Sequence, residues 1–251
     1  VSNSLVLADP IADPALDPFM DPQLLSPFFE TIDSVPESTM KRLGDVAMQR
    51  WGLITTAQAE QVGVSRKVMS RLAATGSVSR VAHGVYRMAG APELEHEDIF
   101  ATWLALGGAA LPPTEDGVPA LVAAGRLATI LHGIGDWYPD GYDFIVPSRR
   151  DTKVAGVRLT ARRLVTREVT HVDCVPTLTI ERVLADLVAY EDLSLVVDAL
   201  RDACLQGRFL RFADFCRYLD GSAAANQFAS GEDFALDLLD QAGFASAYRN
   251  A

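Results

Sequence analysis

The sequence predicts an α+β fold: an N-terminal winged helix-turn-helix followed by a mixed α/β C-terminal domain with a helical end. Three observations predict it. Between Ser38 and Thr75 three short helical patterns follow one another, separated by Gly52 and Gly63, and a valine-bearing hairpin closes the series at Met88. Strand-like runs then appear at Tyr142–Val146 and Val157–Arg163. The last third reads as a succession of amphipathic helices.

Residues 1–36 are predicted to be an acidic, Pro-rich arm, flexible rather than helical. Asp-Pro occurs at Asp9–Pro10, Asp13–Pro14, Asp17–Pro18 and Asp21–Pro22, and each proline removes a donor and turns its predecessor away from helical angles. Residues 37–91 form the predicted winged helix-turn-helix. Ser38 or Thr39 caps a first helix running to about Trp51, with Leu43, Val46, Ala47 and Trp51 on one face. Thr55 with Gln58 makes a capping box for the second helix, Gly63 supplies the turn, and Ser65 caps the third. In that third helix Val64, Val68, Met69 and Leu72 fall within an arc of roughly 140° at ~100° per residue, while Arg66, Lys67 and Ser70 lie opposite and Arg71 flanks them. A hairpin follows: Ser77–Val81, a His83–Gly84 turn, and Val85–Met88.

Such a helix suits a DNA major groove. Ser65, Arg66, Lys67, Ser70 and Arg71 are the candidate groove residues, and Arg80, His83 and Arg87 the candidate wing contacts. The chain's net charge of −11 does not oppose this, because its charge is uneven. Residues 1–40 carry −7, residues 41–90 carry +6 and residues 91–251 carry −10. A polyanion responds to the field within a Debye length of about 8–10 Å rather than to the total.

Residues 92–251 form the predicted C-terminal domain. After the acidic run Glu93–Asp98, Ile99–Leu106 reads as helix, Leu111–Pro119 as loop, and Leu121–Leu131 as a further helix ending at Gly133. Thr179 caps a helix with Ile180, Val183, Leu184, Leu187 and Val188 on one face; further helices are predicted at Leu193–Gln206, Phe212–Leu219 and Glu232–Ala242. Arg149, Arg150, Lys153, Arg158, Arg162, Arg163 and Arg167 form a second basic strip in this otherwise acidic part. They are candidates for a second DNA contact, with solvated arginines or a protein partner as the alternatives.

Enzymatic readings find little support. Pro139–Asp140 and Asp151–Thr152–Lys153 have the spacing of a metal-dependent nuclease, but Asp151 and Lys153 fall in a predicted loop where that chemistry needs a strand. No GxSxG, phosphate-binding loop or dinucleotide glycine pattern occurs, and the four histidines show no metal-ligand spacing. His132 is expected to be a hydrogen-bonded core residue. No cofactor or metal is expected. The three cysteines, Cys174, Cys204 and Cys216, lack CxxC spacing and are expected as buried thiols in a reducing cytoplasm. Neither a signal peptide nor a membrane span is expected.

The stretch Gly52–Met88, GLITTAQAEQVGVSRKVMSRLAATGSVSRVAHGVYRM, resembles the N-terminal module of the AbiEi family, the antitoxins of type IV toxin–antitoxin systems. RLATILHGIGDWYP (Arg126 onward), YDFIVPSRR (Tyr142–Arg150), GVRLTARRL (Gly156–Leu164) and VPTLTIERVLADL (Val175–Leu187) resemble later segments of that family in the same order. Thr160 stands where members often have His, and Ile180 and Val183 where Pro and Thr are usual. The resemblance implies a non-enzymatic autorepressor that binds double-stranded DNA at inverted repeats in its own promoter. It also implies a partner nucleotidyltransferase toxin, antagonised through the C-terminal domain. The alternative is a winged-helix transcription regulator unrelated to a toxin, whose second domain senses a ligand or dimerises.

Overall fold

The structure, a computed structural model, describes residues 37–138 and 140–248. The acidic arm and Pro139 therefore lie outside the described residues. Helix α1 (Glu37–Ala47) continues through a short 3-10 turn (Met48–Arg50) into β1 (Leu53–Thr55), α2 (Thr56–Gln61) and α3 (Arg66–Ala74). β2 (Val78–Ala82) and β3 (Val85–Met88) follow, forming with β1 an antiparallel sheet of order β1-β3-β2. This is the winged helix-turn-helix, with its own core of Leu43, Ala47, Ile54, Ala59, Val64, Met69, Leu72 and Val78.

Local chemistry explains each boundary. Thr55 Oγ1 accepts from Gln58 N while Gln58 Oε1 accepts from Thr55 N, the capping box expected of that pair. Ser65 Oγ accepts from Val68 N. The start of α1 differs from expectation: it begins at Glu37, so Ser38 and Thr39 lie inside it. Trp51 also differs. Its φ of 53° places it in the left-handed region, past the helix, and it is half exposed rather than on the inner face.

Beyond β3, α4 (Glu97–Ala105) leads to β4 (Val122–Ala123), α5 (Gly125–His132), β5 (Tyr142–Val146), β6 (Val157–Ala161), β7 (Val169–Val172) and β8 (Val175–Leu178). These five strands form one mixed sheet of order β6-β5-β4-β8-β7. Its strands alternate between two cores: Phe144 and Val146 face α4, whereas Ile145 and Val122 face the helical end. The predicted helix over Leu121–Leu131 is thus a strand, a break at Gly125 (φ 55°) and a shorter helix. A Cβ at Gly125 would stand 3.3 Å from the Asp143 carboxylate. The helical end comprises α6 (Ile180–Leu187), α7 (Leu193–Leu205), α8 (Phe212–Ala223), α9 (Gly231–Ala242) and α10 (Ala245–Tyr248). Thr179 caps α6 as expected.

Leu53 and Val85 of the first sheet pack into the core that holds Ile99, Phe100, Leu104 and Phe144. The apolar interior therefore crosses residues 91/92 without interruption, and α4 is the element shared by both sheets.

His132 is buried beneath β8, with Nε2 2.8 Å from Leu178 O and Nδ1 3.1 Å from Arg208 Nη2. A guanidinium can only donate, so the ring is neutral, with its proton on Nε2. Burial is the main force holding its pKa below the ordinary 6.5, and the Arg208 charge adds to it. The unfolded chain then binds the extra proton more readily than the folded one. The stability tied to a neutral His132 is fully present above about pH 6.5 and is lost as pH falls below it. Denaturant unfolding between pH 7.5 and 5.5 is expected to show this fall, and a shallower one for His132→Gln.

Candidate nucleic-acid interface

The basic surface of the N-terminal module begins at the α2–α3 turn. Gly63 takes φ 79°, which a side chain would strain, and Arg42 of α1 secures the turn by donating from Nη1 to Val62 O at 2.7 Å. Arg42 is a positioning residue that periodicity did not single out, since its partner is a backbone carbonyl twenty residues away. With the turn fixed, α3 buries Met69 and Leu72 and presents Arg66, Lys67 and Ser70 to solvent; Arg71 is half-buried.

Within that set the charges are not equivalent. Arg66 Nε lies 3.0 Å from Glu60 Oε1, on a side chain that is 80% exposed. Such an exposed pair is worth at most about 1 kcal/mol, so a phosphate or a guanine can displace the carboxylate. Lys67 has no ion-pair or hydrogen-bond partner among the described residues. It is the cation most available to a ligand at the N-terminus of α3.

The hairpin is short and pinned. Gly84 (φ 71°) closes its two-residue turn, and Gly84 O accepts from Thr56 N at 2.8 Å and from Thr56 Oγ1 at 3.2 Å. The tip is thereby tied to the start of α2 instead of projecting. Arg80 and His83 form one unit there, with Arg80 Nη2 3.3 Å from His83 Nδ1.

Arg87 does not share that surface. It points to α4, where Nη1 lies 2.9 Å from Glu97 Oε2 and 3.7 Å from Glu93 Oε2. The Arg87 and Glu97 side chains are only 22% and 12% exposed, so this pair fastens the sheet to α4 and is withdrawn from any phosphate. Glu97→Ala would leave the guanidinium largely buried with only the 3.7 Å contact to the exposed Glu93 carboxylate. A loss of roughly 1–2 kcal/mol is expected, between the exposed and fully buried limits for broken pairs. A denaturant titration checks it, and the paired Arg87→Met/Glu97→Leu variant should recover most of the loss.

The second basic strip also divides. Arg158 is held by Asp143 through two bonds of 2.6 and 2.8 Å, with Asp140 at 3.5 Å. Arg162 is held by Asp186 at 2.7 Å, and Arg150 donates to Leu106 O at 2.9 Å. Arg158 thus ties β6 to β5, Arg162 ties the residue after β6 to α6, and Arg150 ties the loop after β5 to the end of α4. Arg149, Lys153 and Arg163 are exposed, without an ion-pair or hydrogen-bond partner among the described residues. Asp151 and Lys153 lie in a loop, and Asp140 is turned to Arg158, so the nuclease-like residues do not converge on a strand.

Among the described residues, no His, Cys, Asp or Glu cluster of three or more could hold a metal ion, and no helix is long and apolar enough to cross a membrane. Cys204 and Cys216 are partly buried, and burial raises both thiols, Cys216 to about 11. Cys174 departs from the expected burial. It is exposed on the β7–β8 turn and accepts from Trp51 Nε1 at 3.0 Å, joining that turn to the residue that follows the 3-10 turn after α1.

No curated protein matches the chain. Among solved structures, the crystal structure of the RV2827C protein from Mycobacterium tuberculosis is similar, at 18% identity and a TM-score of 0.49. That match covers 83% of this chain and 78% of the other. The model of the transcriptional regulators described as AbiEi antitoxin matches residues 41–89, from Lys41 in α1 to the residue after β3. Over residues 41–89, its winged helix-turn-helix, the chain is thus similar to the transcriptional regulators described as AbiEi antitoxin.

Proposed function

We propose that the chain is a non-enzymatic, cytoplasmic DNA-binding antitoxin that represses its own operon by occupying inverted repeats in the promoter and antagonises a nucleotidyltransferase toxin. The observation that carries the DNA-binding part is the N-terminal end of α3. Ser65, Arg66, Lys67 and Ser70 are exposed there on a helix whose other face is anchored by Met69 and Leu72, in a segment matching a family of transcriptional regulators. Arg66 and Lys67 would reach base edges or phosphates, Arg71 would flank them, and Arg80 with His83 would contact the backbone from the hairpin. Arg149, Lys153 and Arg163 are the part of the second strip with charge to spare for DNA.

The C-terminal domain, residues 92–251 in this reading, would carry the antitoxin activity. Co-expression with the neighbouring gene tests this: growth arrest by the neighbour alone and rescue by the chain support it. A neighbour that is harmless, or whose toxicity the chain leaves unchanged, sinks the antitoxin half. Gel shifts on the upstream region test the DNA half independently, and loss of sequence preference in Arg66→Ala is the expected signature of base contact. A good bidentate contact would contribute about 1–3 kcal/mol of discrimination.

A further inference from the structure

A groove of about 720 Å³ runs beside the helix-turn-helix and is walled on its far side by the turn that follows α4. Arg50, Arg66, Arg80 and His83 stand on the module's side, and Ala109 and Ala110 on the other. No carboxylate lines it, although the chain has 33 acidic residues. The contrast with the cleft beside β5 is informative. There Arg126, Arg158 and Arg162 are matched by Glu191, Asp143 and Asp186, and the charges cancel in place. In the groove only Arg66 has a carboxylate partner, the solvent-exposed Glu60 outside the lining, and Arg50 and Arg80 have none among the described residues.

Arg50 is the residue that sequence reasoning left out. It comes from the 3-10 turn after α1 and has no ion-pair or hydrogen-bond partner among the described residues. The far wall is built to stay in place. Gly107 takes φ 84° and its carbonyl accepts from Ala110 N at 2.8 Å. Gly108 lies on the Trp103 indole, where a Cβ would stand 2.2 Å from the ring, and Trp103 Nε1 donates to Leu121 O at 3.1 Å. The wall therefore combines small side chains with a fixed backbone, leaving room for a chain of phosphodiesters.

We propose that this groove seats one sugar–phosphate strand of double-stranded DNA, with Arg50 as a phosphate anchor and the 107–110 turn as the opposing wall. The inference rests on the DNA-binding reading of the same face and adds that the part of the chain beyond residue 91 takes part in holding the DNA. A phosphate contact steepens the dependence of log K on log salt by about 0.9, equivalent to roughly 8-fold in affinity at 0.1 M salt.

The test titrates the full chain with its promoter fragment at several salt concentrations. Arg50→Ala is expected to lose about 8-fold in affinity and about 0.9 in slope. Ala110→Glu, an exposed position away from α3, is expected to weaken binding by a comparable factor, and Ala110→Lys to strengthen it with a steeper slope. The inference is overturned if all three match the wild type while Lys67→Glu binds poorly, since DNA would then use α3 and bypass the groove. A wild-type chain that binds no DNA removes the DNA-binding reading, and the groove assignment with it.

Discussion

Gly231→Ala is expected to destabilise the folded chain by about 3 kcal/mol, the upper part of the range for overpacked sites. Gly231 opens α9 where that helix crosses α8, and its N–H donates to Asp220 Oδ1 at 2.8 Å. A Cβ there would stand 2.0 Å from Cys216 O and 2.7 Å from Asp220 N. Both are backbone atoms of a neighbouring helix, so no side-chain rotation relieves the clash. The two helices would have to separate, disturbing Phe215, Leu219, Phe234 and Leu238 in the core. For a chain of this size, a melting temperature lower by roughly 6–12 °C corresponds to that loss. Gly221→Ala, ten residues earlier in α8, is the control. Nothing lies within 4 Å of its Cβ position, and its backbone is helical. It is expected to gain about 0.4–1 kcal/mol by restricting the unfolded chain. Calorimetry showing equal melting points for the two variants would contradict this account of the α8–α9 crossing.

Gly231 also illustrates where sequence reasoning stops. The features that could be read are those whose causes lie within four residues. Thr55 with Gln58, Ser65 before Val68, and Thr179 before Arg182 are caps set by local backbone geometry, and all three form. The apolar arc of α3 was equally legible, because helical periodicity alone decides which side faces the core. What escaped depends on distant partners or on very short elements. β4 has two residues within a run of small and apolar side chains, and such a run reads equally well as buried helix. β7 and β8 are four residues each and become evident only when paired with one another and, through β8, with β4. The candidate site divides along the same line. The exposure of Arg66 and Lys67 follows from the helix that carries them. Arg87, Arg158 and Arg162 are taken up by Glu97, Asp143 and Asp186, which lie 10, 15 and 24 residues away on other elements. Counting arginines along the chain gives the size of a basic strip but not its free charge.

Free charge is what the second large prediction turns on. Lys67→Glu is expected to lower DNA affinity by roughly 60-fold at 0.1 M salt, since it removes one phosphate contact and introduces a repulsion of similar size. The fold should be unaffected, because the Lys67 side chain is exposed and no residue described here depends on it. Lys67→Ala should lose only the first half, about 8-fold, with the salt slope reduced by about 0.9. If four such side chains reach phosphates, the wild-type slope is about −3.6 and that of Lys67→Ala about −2.7. Glu60→Gln adds a discriminating arm. It releases Arg66 from a pair of 3.0 Å without adding any positive charge to the helix itself, so tighter binding would show that the carboxylate competes with DNA for the guanidinium. Fluorescence anisotropy on a promoter duplex and on a scrambled duplex separates the two roles assigned to neighbouring residues. Loss at Lys67 should be equal on both duplexes, as expected for phosphate contact, whereas loss at Arg66 should be larger on the promoter. The reverse order would exchange their roles, and no loss at either residue would remove α3 from the interface.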